Sequence, residues 1–178
     1  MGSAAPPPAR RLFIGLMPNA TVRAQIAAHQ RLWFWPPGSR PTQPSQLHLT
    51  LHFLGLVESD DERRLHDALA AVEVGTLQLV LRTPECWSGG VTVLRPDPDA
   101  ALRTLHGRLA QALAGCGLRS ARAGIWTPHV TLARDAACAA PPEATRPIAW
   151  QIQTFALVWS RLTPPLGYRV LSAYGGAN

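Results

Sequence analysis

The sequence predicts an α+β fold with internal pseudosymmetry. Short apolar strands alternate with amphipathic helices in the order βαβαββαβββ, and such mixing is typical of a sheet covered by helices. The second half of the chain resembles the first, and each half contains one His-x-Thr-Leu segment. No stretch is long enough to link two independent domains, and 178 residues suit one domain with a shared core.

The first half of the chain predicts two strands and two helices. These are a strand at 11–17, a helix at 19–33, a Pro-rich loop at 34–46, a strand at 47–57 and a helix at 59–74. The first strand is a short apolar run that stops before a proline, as buried strands often do. Ser59 and Glu62 form a capping-box pattern, which predicts that the second helix begins at Ser59.

The second half predicts five strands and one helix. These are strands at 77–82 and 91–95, a helix ending near 116, and strands at 126–134, 152–160 and 168–173. Asp97 or Asp99 can cap the helix, and Gly117 can end it. A loop is expected at 135–147, and Pro164-Pro165 predicts the turn between the last two strands.

The remaining composition bears on location and cofactors. We expect residues 1–10, which are small and Pro-rich, to form a flexible N-terminus that is no signal peptide, and residues 11–178 to form the domain. No apolar run approaches the roughly 18–20 residues of a membrane span. Cys86, Cys116 and Cys138 are widely spaced and show no paired motif. We therefore expect a cytoplasmic protein without disulfides.

The charge of the chain indicates an anionic partner. The formal net charge is +6, and all 17 basic residues are arginine, with no lysine. A chain without lysine can form no Schiff base, no lysyl-nucleotide intermediate and no P-loop phosphate contact through lysine. These classes of kinase and ligase are thereby excluded.

The two His-x-Thr-Leu segments carry the strongest functional signal. His48 and Thr50 belong to one, His129 and Thr131 to the other, and the two histidines are 81 residues apart. Because side chains alternate along a strand, each His and Thr point to one face while the intervening apolar residues point to the other. Each motif thus presents an imidazole and a hydroxyl together.

This pairing suits chemistry at a phosphate. An imidazole accepts or donates a proton near pH 7, and a threonine hydroxyl can hold a non-bridging phosphate oxygen. If the two pairs face each other, one histidine can activate water while the other protonates the departing oxygen. A single His-x-Thr would usually reflect packing or surface polarity, but two copies followed each time by Leu favour a functional interpretation.

Two other interpretations remain open. His48 and His52 are four residues apart, which on a helix would suit zinc, but in a strand this spacing is roughly 13 Å and too long for one ion. We therefore expect no metal site, and we expect His52 to be solvated at the edge of the cleft. A basic RNA-binding module without turnover is the other interpretation, although binding alone does not require two matched proton carriers.

At this point the chain resembles a known family. The segments 47–55 and 127–134, together with the opening strand and the late Ser160, Gly167 and Tyr168, look like the signatures of the two-histidine phosphoesterases. The branch of closest resemblance is the RNA 2′,3′-cyclic phosphodiesterases, also called 2′-5′ RNA ligases. The resemblance implies two pseudosymmetric lobes, each an antiparallel-rich sheet flanked by helices, with a central cleft between them.

The resemblance also implies an activity and a set of site residues. The activity is hydrolysis of RNA or nucleotide 2′,3′-cyclic phosphate ends to 2′-phosphates without a cofactor. The alternative is reversible 2′-5′ ligation of RNA ends, or hydrolysis of another small cyclic or 2′-5′ phosphodiester at the same site. We expect the protein to be a monomer. His48 and His129 are the implied catalytic pair, with His48 as acid and His129 as base, and Thr50 and Thr131 hold the phosphate.

Two further roles follow from the same resemblance. Phe53 and Arg134 each lie five residues after a motif histidine, and are implied to bind the terminal base or the phosphate. Strand alternation alone would instead place Phe53 in the core. Two details depart from the pattern of the family. The segment before Pro128 lacks a basic residue, and the turn before Tyr168 places its glycine closer to the tyrosine. These departures affect the expected substrate contacts more than the chemistry.

Overall fold

The fold is known from a computed structural model that describes residues 9–121 and 124–176. The elements in chain order are β1 (Arg10–Leu16), α1 (Ala20–Arg31), β2 (Arg40–Pro41), β3 (Leu49–Val57), α2 (Ser59–Ala70), β4 (Leu77–Trp87), β5 (Val91–Pro96), α3 (Ala100–Gly115), β6 (Val130–Arg134), β7 (Ile148–Ile152), β8 (Phe155–Arg161) and β9 (Gly167–Tyr174). No helix in these ranges is both long enough and apolar enough to cross a membrane.

The strands form one antiparallel sheet that divides into two matching halves. Its order is β7-β4-β5-β6-β3-β1-β8-β9, with β2 paired to β6. In both halves a strand, a helix and a motif strand follow in sequence, as β1-α1-β3 and as β5-α3-β6, and the two strands of each unit are antiparallel neighbours. The α+β prediction with two pseudosymmetric halves is confirmed, and the two lobes share a continuous sheet.

The halves meet at the two motif strands. In the register between β3 and β6, Leu49 pairs with Val130, and both side chains are fully buried. Leu51 and Leu132 are buried as well, so that alternate residues of both motif strands anchor the centre of the sheet in the core. The core therefore fixes which face of each strand carries the polar motif side chains.

Asp99, one of the two predicted caps of α3, is confirmed, whereas Asn19, which the sequence placed inside the first helix, is its N-cap residue. Asn19 caps α1 by accepting from the Val22 N–H at 2.9 Å, and Asp99 caps α3 by accepting from the Leu102 N–H at 2.7 Å. The helix α2 begins at Ser59 as predicted, but the predicted capping box is absent. Glu58 is the N-cap residue of α2 and makes no side-chain cap bond.

The reason for the failed capping box lies in a long-range ion pair. The Glu62 carboxylate accepts from the Arg10 guanidinium at 2.8 Å rather than reaching back to its own helix terminus. Arg10 lies in β1 and belongs to the sheet, whereas the sequence placed it in the flexible terminus. Residues 1–8, the rest of that predicted terminus, lie outside the described residues.

The sequence missed two strands, the two-residue β2, which lies in the predicted loop at 34–46, and β7. In β7, residues Ile148 to Ile152 alternate buried and exposed, and the strand pairs with β4 at the edge of the sheet. A five-residue alternation beside a proline-rich loop gives too short a pattern to separate from the strand that follows. The predicted strand at 152–160 consequently merged the end of β7 with β8, which begins at Phe155.

Candidate active site

The antiparallel register brings the four motif side chains together. Because Leu49 lies opposite Val130, continuing the ladder by one residue places His48 opposite Thr131 and Thr50 opposite His129. All four side chains lie on the face away from the buried Leu49 and Val130, and all four line one cavity of about 310 Å³. Each histidine is the residue immediately before its strand rather than within it.

Both histidines are held by the same backbone contact. Nδ1 of His48 lies 2.7 Å from the Gln46 carbonyl oxygen, and Nδ1 of His129 lies 2.7 Å from the Thr127 carbonyl oxygen. A carbonyl only accepts, so Nδ1 carries the proton and donates in both rings. Nε2 is then the nitrogen that can exchange a proton, and in His48 it lies 3.1 Å from the Thr50 hydroxyl oxygen.

His48 lies in an aromatic enclosure. Its ring centroid is 4.7 Å from that of Phe13 and 5.0 Å from that of Tyr168. The pKa of His48 is lowered to about 4, chiefly by burial and in smaller part by the nearby His129 and Arg134, while the bond to the Gln46 carbonyl opposes the shift. In the unliganded cleft this ring is therefore neutral at pH 7, and Nε2 accepts from the Thr50 hydroxyl.

His129 has a different neighbour. Its ring lies 4.5 Å from that of Trp87 in an edge-on arrangement. The Trp87 indole N–H donates to Glu85 at 2.7 Å, and Arg95 donates to the same carboxylate at 2.8 Å. These two donors hold the pKa of Glu85 below its usual value, with the Trp87 bond the larger cause. The tryptophan ring beside His129 is thus held by a charged pair.

A small residue in β1 allows the close approach at His48. Gly15 pairs with Thr50, and a Cβ at this position would lie 3.0 Å from the Leu49 carbonyl oxygen and 3.1 Å from the Phe13 ring. Any larger side chain would push either the motif strand or the ring that contacts His48. The glycine of the opening strand therefore has a packing reason.

The cleft is strongly basic. Three arginines line it, Arg11, Arg40 and Arg134, and no carboxylate does so among the described residues. Arg40 is the cross-strand partner of Arg134 through β2, and Arg40 is also paired with Asp135. The sequence missed Arg11 and Arg40, because non-local strand pairing brings them to the cleft and neither belongs to a motif.

Phe53 and Arg134 both line this cleft, together with the four motif residues. The Arg11 guanidinium lies 4.9 Å from the centre of the Phe53 ring, so that this ring already contacts a cation. Phe53 is half-buried rather than a full core residue. Tyr168, which the sequence singled out only through its resemblance, lines the cleft beside His48.

His52 differs from its expectation, because only 4% of it is exposed. Its ring stacks on His106 of α3 with centroids 4.1 Å apart, and its Nε2 lies 3.0 Å from the His106 carbonyl oxygen. Packing of α3 over β3 therefore buries the residue that the sequence placed in solvent. In the described part of the chain no three His, Cys, Asp or Glu side chains cluster as metal ligands would.

Trp126 connects the two motifs. Its ring stacks on His106 at 4.0 Å, and its indole N–H donates to the Thr50 carbonyl oxygen at 3.1 Å. β3 and β6 share one registered pair, Leu49 with Val130, and this bond ties the segment before His129 to the strand after His48. The indole thus supplements the sheet where its two halves meet.

Comparison with known proteins gives consistent results over most of the chain. Residues 21–170 match the model of the 2′-5′ RNA ligase superfamily. The chain is 30% identical to the RNA 2′,3′-cyclic phosphodiesterase of Escherichia coli (strain K12) over 71% of this chain and 73% of that protein. It is 31% identical to the protein of the same name from Thermus thermophilus over 86% of this chain and 83% of that protein.

Solved structures agree with the sequence matches. The structure of E. coli LigT in apo form is similar with a TM-score of 0.81 at 26% identity, covering 97% of this chain and 100% of that one. A structure from Thermus thermophilus is similar with a TM-score of 0.72 at 28% identity, covering 94% of this chain and 100% of that one. With the paired motifs at the centre of the same fold, the chain belongs to the 2′-5′ RNA ligase superfamily.

Proposed function

We propose that this protein hydrolyses 2′,3′-cyclic phosphates at RNA ends to 2′-phosphates. The observation that carries the proposal is the pair of histidines in one cleft, each with Nδ1 bonded to a carbonyl so that Nε2 is the proton-exchanging nitrogen. Two relatives that are 30% and 31% identical to this chain are named RNA 2′,3′-cyclic phosphodiesterase. Similar structures of E. coli LigT were solved with phosphate and with 3′-AMP.

The proposed reaction is an in-line displacement at phosphorus. Thr50 and Thr131 donate to the non-bridging oxygens of the cyclic phosphate. A water molecule attacks phosphorus opposite the 3′ oxygen, and the base histidine takes a proton from that water. The P–O3′ bond breaks, the acid histidine protonates O3′, and the 2′-phosphate remains. Because the two histidines come from opposite halves of the sheet, they can act on opposite sides of one phosphate.

The assignment of acid and base depends on what the bound phosphate does to His48. The sequence resemblance implies His48 as acid and His129 as base. The pKa of about 4 in the unliganded cleft keeps His48 neutral at pH 7, which is the form of a base. An acid role for His48 requires the bound phosphate anion to raise that pKa, since an opposite charge nearby favours the imidazolium.

Substrate contacts are proposed for the basic and aromatic side chains of the cleft. Arg134 pairs with a phosphate or stacks on the terminal base, and Phe53 stacks on that base. Arg11 and Arg40 add guanidinium groups to the cleft wall, and Arg40 does so while paired with Asp135. An RNA end, which is polyanionic, fits this charge.

The test is incubation of the wild-type protein with a nucleoside 2′,3′-cyclic phosphate in EDTA, followed by identification of the product isomer. We expect turnover in EDTA and a 2′-phosphate product. Loss of activity that zinc or manganese restores would contradict the metal-free mechanism, and a 3′-phosphate would contradict the proposed leaving group. Addition of a 5′-hydroxyl oligonucleotide tests ligation, which the superfamily name makes the second candidate.

We also propose that the protein acts as a cytoplasmic monomer. One chain supplies both histidines, both threonines and the arginines of the cleft, so the site needs no second copy to complete it, and the three cysteines are unpaired thiols. Light scattering during gel filtration tests the oligomeric state, since a monomer should have a molar mass near 19.2 kDa.

A further inference from the structure

A second cavity adjoins the catalytic cleft. It has a volume of about 470 Å³ and shares three lining residues with the cleft, Thr50, Phe53 and His129. Its other walls come from the end of β4, from α3 and from the segment that precedes β6. Whatever fills this cavity lies directly beside a phosphate bound between the motifs.

The chemistry of the two cavities differs. The catalytic cleft contains three arginines, whereas the second cavity has no Arg, Asp or Glu on its described walls. It is lined instead by the rings of Trp87, His106 and Trp126 and by Ile125, which is 98% exposed at its rim. Burial lowers the pKa of His106 to about 4, so that its ring is neutral at pH 7. These walls suit a flat, uncharged ring rather than a phosphate.

The aromatic wall is built from stacked rings. His52, His106 and Trp126 form a continuous stack with ring centroids 4.1 and 4.0 Å apart. The Trp126 indole N–H is bonded to the Thr50 carbonyl at 3.1 Å. Aromatic surfaces of this kind bind the unstacked bases of single-stranded RNA.

We propose that the second cavity holds the nucleobase of the penultimate nucleotide, the one that precedes the nucleotide with the cyclic phosphate. This inference rests on the proposed function. In any RNA end of two or more nucleotides, one phosphodiester joins the penultimate nucleotide to the terminal ribose, which places the two bases in neighbouring sites. Hydrolysis involves one RNA strand, so a second strand is not needed to fill the cavity.

The test compares three substrates that carry the same 5′-linked phosphate. They are a 5′-phosphorylated nucleoside 2′,3′-cyclic phosphate, a dinucleotide ending in the same cyclic phosphate, and a dinucleotide whose penultimate residue is abasic. We expect kcat/KM for the full dinucleotide to exceed that for the other two by at least about 5-fold, the lower limit for one base stacked on an aromatic side chain. Equal values for all three would overturn the proposal.

Variants of the cavity locate the effect. Ile125→Ala should lower kcat/KM for the full dinucleotide by about 3- to 5-fold through lost apolar contact, with little change for the mononucleotide. Leu32→Ala is the matched control, because Leu32 is also exposed, at 62%, and lines neither cavity. Because Trp87 touches His129, Trp87→Leu can slow hydrolysis of both substrates. This variant is therefore judged by the ratio of kcat/KM for the full dinucleotide to kcat/KM for the mononucleotide. If neither Ile125→Ala nor Trp87→Leu narrows the ratio, the base binds elsewhere and the proposal is wrong.

Two further results separate this inference from its alternatives. Suppose that a 5′-hydroxyl oligonucleotide inhibits the wild type and loses this inhibition in Ile125→Ala, while kcat/KM for the dinucleotide equals that for the mononucleotide. In that case the cavity binds a second strand and the proposal is wrong. If the wild type hydrolyses no cyclic phosphate, the proposed function fails instead. The cavity is then tested by binding of a 2′-phosphorylated dinucleotide and mononucleotide, with and without Ile125→Ala, where equal affinities would overturn it.

Discussion

The two ends of the cleft share a backbone design and differ in what surrounds it. His48 and His129 each donate from Nδ1 to a carbonyl oxygen two residues earlier, at 2.7 Å in both cases. His48 is enclosed by Phe13 and Tyr168, whereas His129 touches Trp87 at its edge. The repeated motif therefore sets the tautomer and the face, and side chains from elsewhere in the chain set the polarity around each ring.

The largest expected effect breaks the comparison altogether. His48→Ala and His129→Ala should each lower kcat on a cyclic phosphate by at least about 10². The double variant should lose far less than the product of the two, because the two groups act in one step. His66→Ala is the matched control, since His66 lines neither cavity and lies in α2. Near-normal turnover of either motif variant would remove that histidine from the mechanism.

A change of leaving group separates the two ends by role. A nitrophenolate departs without needing a proton, whereas a ribose alkoxide does not. With a nitrophenyl phosphodiester that the protein accepts, the variant of the acid should recover most of its activity and the variant of the base should not. Recovery of His48→Ala would support the assignment implied by the sequence. Recovery of His129→Ala would reverse the roles, in line with the neutral state of His48 in the free protein.

The threonines give a smaller and more symmetric test. Thr50→Val and Thr131→Val keep the shape of each side chain and remove one donor to phosphate, which costs about 1.5–3 kcal/mol when the bond is charge-assisted. Thr50 also contacts His48 Nε2 at 3.1 Å in the free protein, so Thr50→Val should additionally change the titration of His48. Measurement of kcat/KM for both variants, with nuclear magnetic resonance of the His48 ring, checks this difference. If the His48 ring titrates in the same way in Thr50→Val as in the wild type, the Thr50 contact has no effect on His48.

Features that depend on local sequence patterns could be predicted, whereas features that depend on distant parts of the chain could not. The α+β class, the cap at Asp99, and the shared face of each His and Thr all depend on local patterns, and the structure has them. The failed cap at Ser59 and the buried His52 depend on partners far along the chain, Arg10 and α3. A pattern read within one segment holds no information about such partners.

The same limit applies within the candidate site. The four motif residues are detectable because each motif repeats with its own spacing. Arg11 and Arg40 enter the cleft through strand pairing, and Trp87 and Trp126 reach the motifs from separate segments. An isolated arginine or tryptophan has no sequence pattern that distinguishes a cleft wall from an ordinary surface or core position. The four motif residues were therefore easier to predict than the other side chains that line the two cavities.

The protonation state of His48 can be measured directly. Titration of ¹⁵N-labelled protein should give His48 a midpoint near 4 in the free state. Inorganic phosphate should raise that midpoint, because an anion in the cleft favours the imidazolium. Tyr168→Ala should also raise it towards the ordinary value of about 6.5 by admitting water to the ring. A free-state midpoint already near that value would show that the aromatic enclosure does not desolvate His48.

The smallest expected effect concerns the link between the two halves. Trp126→Phe keeps an aromatic ring over His106 and removes the donor to the Thr50 carbonyl, a bond worth about 0.5–1.5 kcal/mol. Because this bond supplements the single registered pair between β3 and β6, its loss should let the motif strands move slightly apart.

Such a movement has a distinct kinetic signature. On a mononucleotide 2′,3′-cyclic phosphate, which does not reach the second cavity, it should lower kcat several-fold with little change in KM, since phosphate contacts within each half survive while the distance between the two histidines changes. Trp33→Phe is the control, because Trp33 is likewise a buried indole donor, to His29, but lines neither cavity. If Trp126→Phe raised KM and left kcat unchanged, Trp126 would act on substrate binding rather than on the spacing of the catalytic pair.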